Sequence, residues 1–159
     1  ELPEDYIADA GLRLSLYRQL GALAGEEDVD EFAAELEERF GPPPPPVERL
    51  LYQTRVKVLA QHLGATAVGR EEDQFYLRMD VSLLRAHDIQ EELSGVARLG
   101  RGQIRIDASR TQDWQGLLLW ALRVLVGIME ERRAARPTRV LRPDVRSRQE
   151  DTAMEAEGR

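Results

Sequence analysis

Five consecutive prolines, Pro42 to Pro46, interrupt the chain, and neither a regular helix nor a central strand can run through them. What precedes them is strongly helical in pattern. Val29, Phe32, Ala33, Leu36 and Phe40 recur at the spacing that puts apolar groups on one face of an α-helix. The pattern predicts a helix over 29–40, with Asp28 as its cap and Glu31 completing a capping-box pair. Gly41 stands where a left-handed terminal residue is expected, and Pro42 stops the helix. Phe40 is placed on the buried side. The prolines then form a stiff spacer of about 3 Å per residue. Such a run also suits an SH3-type partner, but between two helical patterns the spacer reading takes precedence. The outward face of the helix carries Asp30, Glu31, Glu35, Glu37 and Glu38, with Arg39 at its end. That face is either simply solvated or a docking surface for a basic partner, and charge alone leaves both readings open.

The remaining pattern alternates between two periods. A first helix is expected over 9–23, capped by Asp9 and bearing Leu12, Leu16, Leu20 and Leu23. A third runs from about Val47 to Leu63, with apolar groups on more than one stripe, as for a helix covered on two sides. The period then drops to two. Thr66 and Val68, a Glu71-Glu72-Asp73 turn, then Phe75, Leu77 and Met79 predict a β-hairpin. A short helix over 82–93 carries Leu83, Leu84, Ile89 and Leu93. A second hairpin follows, turning at Gly100-Arg101-Gly102, with Ile104 and Ile106 facing inward. The last helix spans about 112–131 and is apolar beyond one face, so it packs between two layers or meets another domain. This order predicts an α+β fold: N-terminal helices, then a four-stranded antiparallel sheet built from two hairpins and covered by helices. The expected organisation is one domain over 1–131 and a charged, disordered tail over 132–159, where Pro137, Pro143 and many charges replace large apolar groups.

The net charge of −7 conceals a division. Residues 1–131 carry 24 acids against 14 Lys or Arg, hence −10; residues 132–148 carry seven arginines and one acid, hence +6. The folded part should repel nucleic acid, while the segment after it attracts it. No cysteine is present, which excludes a disulfide framework and a cysteine-based zinc site and fits a cytoplasmic protein. The longest apolar run, Leu117 to Met129, is broken by Arg123 and falls short of the ~20 residues of a membrane helix. The chain starts at Glu1 without a methionine or a signal peptide pattern, and is read as a fragment of a longer protein.

Catalytic patterns are not found. His62 and His87 lack a partner at metal-ligand spacing and are expected at the surface. Gly100-x-Gly102 lacks the third glycine of a dinucleotide fingerprint and the Lys-Ser/Thr of a phosphate loop. Glu71, Glu72 and Asp73 cluster, but an exposed turn accounts for them. No catalytic, cofactor or metal residue is assigned.

Three stretches carry a family resemblance. Glu35-Leu36-Glu37-Glu38-Arg39-Phe40-Gly41 followed by prolines resembles the Glu-Leu-x-Asp-Arg-Phe-Gly signature in the C-terminal domain of bacterial transcription-repair coupling factors (Mfd), with Glu38 where Asp is usual. Leu2-Pro3-Glu4-Asp5-Tyr6-Ile7 is similar to the entry into that domain, and Arg13-Leu14-Ser15-Leu16-Tyr17-Arg18 to its Arg-Leu-x-x-Tyr-Lys/Arg element. The likeness covers roughly 1–131. It implies an α+β regulatory domain of a multidomain, ATP-driven DNA translocase that removes stalled RNA polymerase and recruits UvrA. It implies that the domain packs on the UvrB-like, UvrA-binding region of the same chain and masks it. Glu35, Glu38 and Arg39 are the expected polar contacts of that intramolecular interface. ATP and magnesium would belong to the motor of the parent protein, and no cofactor to this domain. UvrA, RNA polymerase and DNA would be reached through the parent, and no membrane is implied. The alternative is a small, non-specific nucleic-acid-binding module gripping through the arginines of 132–148.

Overall fold

A computed structural model describes residues 1–136. Three helices come first: α1 (Ala10–Ala22), α2 (Glu26–Phe40) and α3 (Pro45–His62). Strands β1 (Ala67–Glu71) and β2 (Gln74–Arg78), helix α4 (Ala86–Glu92), strands β3 (Ala97–Gly100) and β4 (Gln103–Asp107), and helix α5 (Trp114–Ala134) complete the order. The α+β prediction holds. The two hairpins join through their second strands, giving an antiparallel sheet in the order β1-β2-β4-β3.

Local signals placed α1 well: the Asp9 carboxylate accepts the Leu12 amide at 2.7 Å, capping the helix as expected. At α2 the cap lies elsewhere. The helix starts three residues earlier, with Gly25 as N-cap, and Asp28 sits inside the first turn. Its carboxylate reaches back to accept the amides of Ala24 and Gly25, each at 3.1 Å. Asp28 therefore supplies the reaching-back half of a capping box, and Glu31 has no capping role. Three acids in that first turn, Glu26, Glu27 and Asp28, favour the early start through the helix dipole. The proline run is likewise shorter as a spacer than expected. Pro45 and Pro46 are the first residues of α3, where a missing N–H costs nothing and φ is already helical, so only Pro42–Pro44 bridge the helices. Gly41 does adopt positive φ (+83°), and its N–H reaches the Glu37 carbonyl at 2.9 Å.

Two hydrophobic clusters share α3. Leu16, Leu20, Val29, Phe32 and Leu36 of α1 and α2 pack with Leu2, Ile7 and the α3 residues Val47, Leu51 and Val58. Leu59 and Leu63 at the other end join Phe75, Leu77, Ile104 and Ile106 of the sheet, Ile89 of α4, and Leu118, Leu122 and Leu125 of α5. The apolar spread along α3 thus corresponds to cover on two sides. The register sets which sheet face does this: Leu77 opposes Ile104, and Phe75 opposes Ile106, all inward. α5 buries Leu118, Ala121, Leu122, Leu125, Ile128 and Met129 in the same fold, leaving Trp120 38% exposed.

The helix expected to end near 131 continues to Ala134. Arg132 donates to the Asp88 carboxylate of α4, and Arg133 to the His62 carbonyl at 3.1 Å. The first residues assigned to the tail therefore belong to the fold. The disorder expected for the rest of the tail, 137–159, lies outside the described residues. No helix among the described residues is long and apolar enough to cross a membrane.

Candidate docking edge on helix α2

Val29, Phe32 and Leu36 are fixed inward by the helical cluster, which dictates where the rest of α2 faces. Glu35, Glu38 and Arg39 are all exposed, as expected, and share one edge of the last two turns. Arg39 Nη1 donates to Glu35 Oε1 at 3.0 Å, an (i, i+4) pair. The Arg39 guanidinium also lies 5.1 Å from the centroid of the Phe40 ring. The Glu38 side chain has no hydrogen bond or ion pair among the described residues. The edge thus offers one cation already held by two neighbours and one uncommitted carboxylate.

Phe40 is only partly buried, and so differs from its expected place in the core. Its ring meets Tyr6 at a centroid distance of 5.9 Å, and the Tyr6 hydroxyl donates to the Gly41 carbonyl at 2.9 Å. Burial, then the negative charge of Glu37, pushes the Tyr6 phenol above its usual pKa. The Tyr6–Phe40–Gly41 contacts pin the C-terminal end of α2, and with it Arg39, to the N-terminal segment.

Two acids of the outward set are turned to other uses. Asp30 pairs with Arg55 of α3, and Glu37 lies beside Tyr6. Glu31, which the sequence suggested as a capping residue, is exposed one turn before Glu35 on the same edge. Its outward place was legible in the sequence, whereas its capping role was not borne out, because the cap was placed three residues too late. The acidic first turn, Glu26-Glu27-Asp28, was the signal that could have moved it.

Elsewhere, the Ser82 amide and hydroxyl, against a smaller opposing effect of burial, hold the Asp80 carboxyl below its usual range; Ser109 does the same for Asp107. Both are turn-forming contacts. His62 and His87 are exposed; His62 Nε2 sits 2.9 Å from the Ala24 carbonyl and His87 pairs with Glu91. Among the described residues no group of three His, Cys, Asp or Glu could hold a metal ion. A cleft of about 500 Å³ between α2, α3 and α5 is lined by Glu26, Glu27, Asp28, His62, Val126 and Glu130, a strongly acidic set. Of the seven arginines over 132–148, Arg132 and Arg133 are committed to intramolecular contacts.

The model of the TRCF domain family matches residues 1–90. The transcription-repair-coupling factor of Escherichia coli is 40% identical over 63 residues, which is 40% of this chain and 6% of that protein. That of Rickettsia prowazekii is 32% identical over 77 residues, 48% of this chain and 7% of that protein. That of Staphylococcus haemolyticus is 25% identical over 136 residues, 80% of this chain and 12% of that protein. The matches thus span a small part of these relatives' length. Among solved structures, the C-terminal domain of a transcription-repair coupling factor superposes with a TM-score of 0.69 at 24% identity, covering 82% of this chain and 88% of that one. This last likeness concerns the fold.

Proposed function

Because the chain belongs to the TRCF domain family, we propose that it is the C-terminal regulatory domain of a transcription-repair coupling factor. In this reading it packs through the Glu35–Glu38–Arg39 edge of α2 on the UvrB-like, UvrA-binding region of the same protein. It keeps that region covered until the ATP-driven DNA translocase of the parent engages a stalled RNA polymerase. The domain itself carries no chemistry in this scheme; it is a lid for a repair protein's recruitment surface.

The observation that carries the reading is the state of that edge. The core needs Val29, Phe32 and Leu36, so Glu35, Glu38 and Arg39 are left in solvent with their directions set by the helix. The Arg39–Glu35 pair and the Tyr6–Phe40 contact hold the geometry before any partner arrives. Exposed ion pairs are weak in water, so this one exchanges readily for contacts with a partner. A lid must open, and this limits the strength required. Holding the open form near one per cent takes ~2.7 kcal/mol, which two charge-assisted hydrogen bonds of ~1.5–3 kcal/mol each supply. Glu38, one methylene longer than the aspartate of the family pattern, still reaches a facing cation with one more rotor to order.

The test is UvrA affinity of the full-length parent, wild type against Glu35→Arg with Glu38→Arg, at low and high salt. The double variant should bind UvrA more tightly without any damage signal, because like charges then meet across the closed contact. Equal affinities in both conditions would remove this edge as the latch.

A further inference from the structure

The outward face of the sheet has a charge arrangement that the lid role does not use. In the middle row, Tyr76 of β2 opposes Gly69 of β1 on one side and Arg105 of β4 on the other, and Arg105 opposes Arg98 of β3. In the next row, Arg78 opposes Gln103, beside the turn that carries Arg101. Four arginines therefore gather toward the β3–β4 turn, in a body whose first 131 residues carry −10. The acids of this face, Glu71 and Asp107, lie in the row at the opposite end.

Two like charges directly opposite on adjacent strands are unfavourable for the sheet alone. Arg105 partly relieves this by leaning across β2 toward Glu71 at 3.5 Å and Gln74 at 3.4 Å, contacts at the limit of hydrogen bonding and exposed to water. Among the described residues, Arg78, Arg98 and Arg101 have no carboxylate within ion-pair distance. Tyr76 shares the row of Arg105 and Arg98, next to the row of Arg78. A methyl group at Gly69 would come within 2.2 Å of its ring, so the ring lies over the β1 backbone, and the Arg78 guanidinium is 5.8 Å from its centroid. Arg139, Arg142, Arg146 and Arg148 lie outside the described residues.

We propose that this outward sheet face binds single-stranded nucleic acid, with phosphates at Arg98, Arg105 and Arg78 and a base against the Tyr76 ring. The choice over an acidic protein rests on what the face lacks. A protein partner draws its affinity from a desolvated apolar centre, and here Tyr76 is the one aromatic group amid arginine and glutamine. A phosphate backbone needs only the charges, and a base only a π-face. A strand crossing β2, β4 and β3 traverses two strand spacings of about 4.8 Å, room for roughly three phosphates at most. The affinity is modest and the salt slope close to −2, from about −0.7 per phosphate on a single strand. The inference is independent of the α2 edge, which lies on another element.

Fluorescence anisotropy of a labelled 12-nucleotide oligo-dT tests it, using the full chain at 50 and 200 mM salt. Arg98→Gln with Arg105→Gln should weaken binding about tenfold at 50 mM and lower the salt slope by about 1.4. Arg98→Lys with Arg105→Lys keeps the charge and should stay within about threefold of wild type, which separates loss of the site from loss of the fold. Undetectable binding by the wild type overturns the proposal. An unchanged affinity in the glutamine variant also overturns it, because the grip would then lie in the arginines beyond Arg136. Equal binding of a duplex of the same length overturns the single-strand assignment. So does binding of an acidic helical peptide, but not of oligo-dT, that the glutamine variant abolishes.

Discussion

Arg123 of α5 holds Glu26 of α2 through both carboxylate oxygens, with Nε at 3.0 and 3.1 Å and Nη2 at 2.8 Å, across a sequence separation of 97 residues. The hydrogen bond to Glu26 keeps the guanidinium pKa above its usual value, against the opposing effect of burial. Glu26 belongs to the first turn of α2, next to the helical cluster, while α5 covers the sheet. The pair therefore links the two halves that otherwise meet through α3. Arg123→Ala should lower stability by about 1 kcal/mol, with a coupling energy to Glu26→Gln of about 0.2–1 kcal/mol. Urea melts of the four proteins in the cycle measure it; a coupling of zero would mean the bidentate geometry contributes nothing to joining the halves.

Phe40 and Leu36 are one turn apart but differ in burial. Leu36 is 2% exposed, whereas Phe40 is covered mainly by Tyr6 on one side. Leu36→Ala should cost about 3 kcal/mol and Phe40→Ala about 2, below the usual range for a fully buried ring. Thermal melts order the two. A larger loss at Phe40 would mean that its contact with Tyr6 organises the N-terminal segment as a whole.

Tyr52 reports on alkaline stability. Its ring meets Trp114 edge-on at 6.1 Å, and its hydroxyl donates to the Gln115 carbonyl at 3.3 Å. Burial first, then the charge of Asp113, pushes the phenol up to about 12 from 10.0. A raised phenol pKa means the unfolded chain loses this proton first. The contribution is complete below pH ~10 and disappears as pH rises toward ~12. An ultraviolet titration should show a tyrosine step near pH 12 that is absent in Tyr52→Phe. Loss of a step near pH 10, rather than near pH 12, in that variant would refute the environment described.

The α5 C-terminus sets a boundary. Arg132 contacts Asp88, and Arg133 contacts the His62 carbonyl. A chain cut after residue 131 should be less stable than one cut after 136 by roughly 1–2 kcal/mol, because it loses one partly buried ion pair and one hydrogen bond from an exposed, water-screened arginine. Coincident denaturation curves for the two truncations would show that these contacts are dispensable.

Nucleotide gives a further expectation, this one for the proposed role. Magnesium-ATP should leave the melting temperature of this chain unchanged, because a lid has no use for a phosphate-cradling loop and none is written in its sequence. A concentration-dependent rise would point to a nucleotide site on the domain itself.

Much of the architecture was legible because it depends on near neighbours in sequence. The alternation Phe75, Leu77, Met79 and that of Ile104 and Ile106 defined strands with one buried face, and the glycines at 100 and 102 their turn. The spacing Val29–Phe32–Leu36 identified the inner face of α2 and so left Glu35, Glu38 and Arg39 outside, as found. The family likeness rested on the same local strings. Helix starts were less legible. Asp28 and Glu31 read plausibly as a capping box, but Gly25 and the acidic turn after it offered an equally good start three residues earlier. Pro45 and Pro46 belonged to α3 because proline is welcome in a first turn, a property that the run as a whole concealed.

Other features required three dimensions. That the hairpins pair through β2 and β4, placing Tyr76 beside Arg105, follows from how two separate hairpins dock, and no local pattern encodes the choice. The partners of Asp30, Glu26 and Asp88 are Arg55, Arg123 and Arg132, between 25 and 97 positions away, and many other arginines were available to each. Charge is long-ranged and unspecific in sequence, whereas apolar periodicity is short-ranged and fixed by the pitch of the element. The strings of this chain therefore prescribed its helices, strands and inner faces, and only their packing decided which arginine met which acid, and which arginines were left to face outward.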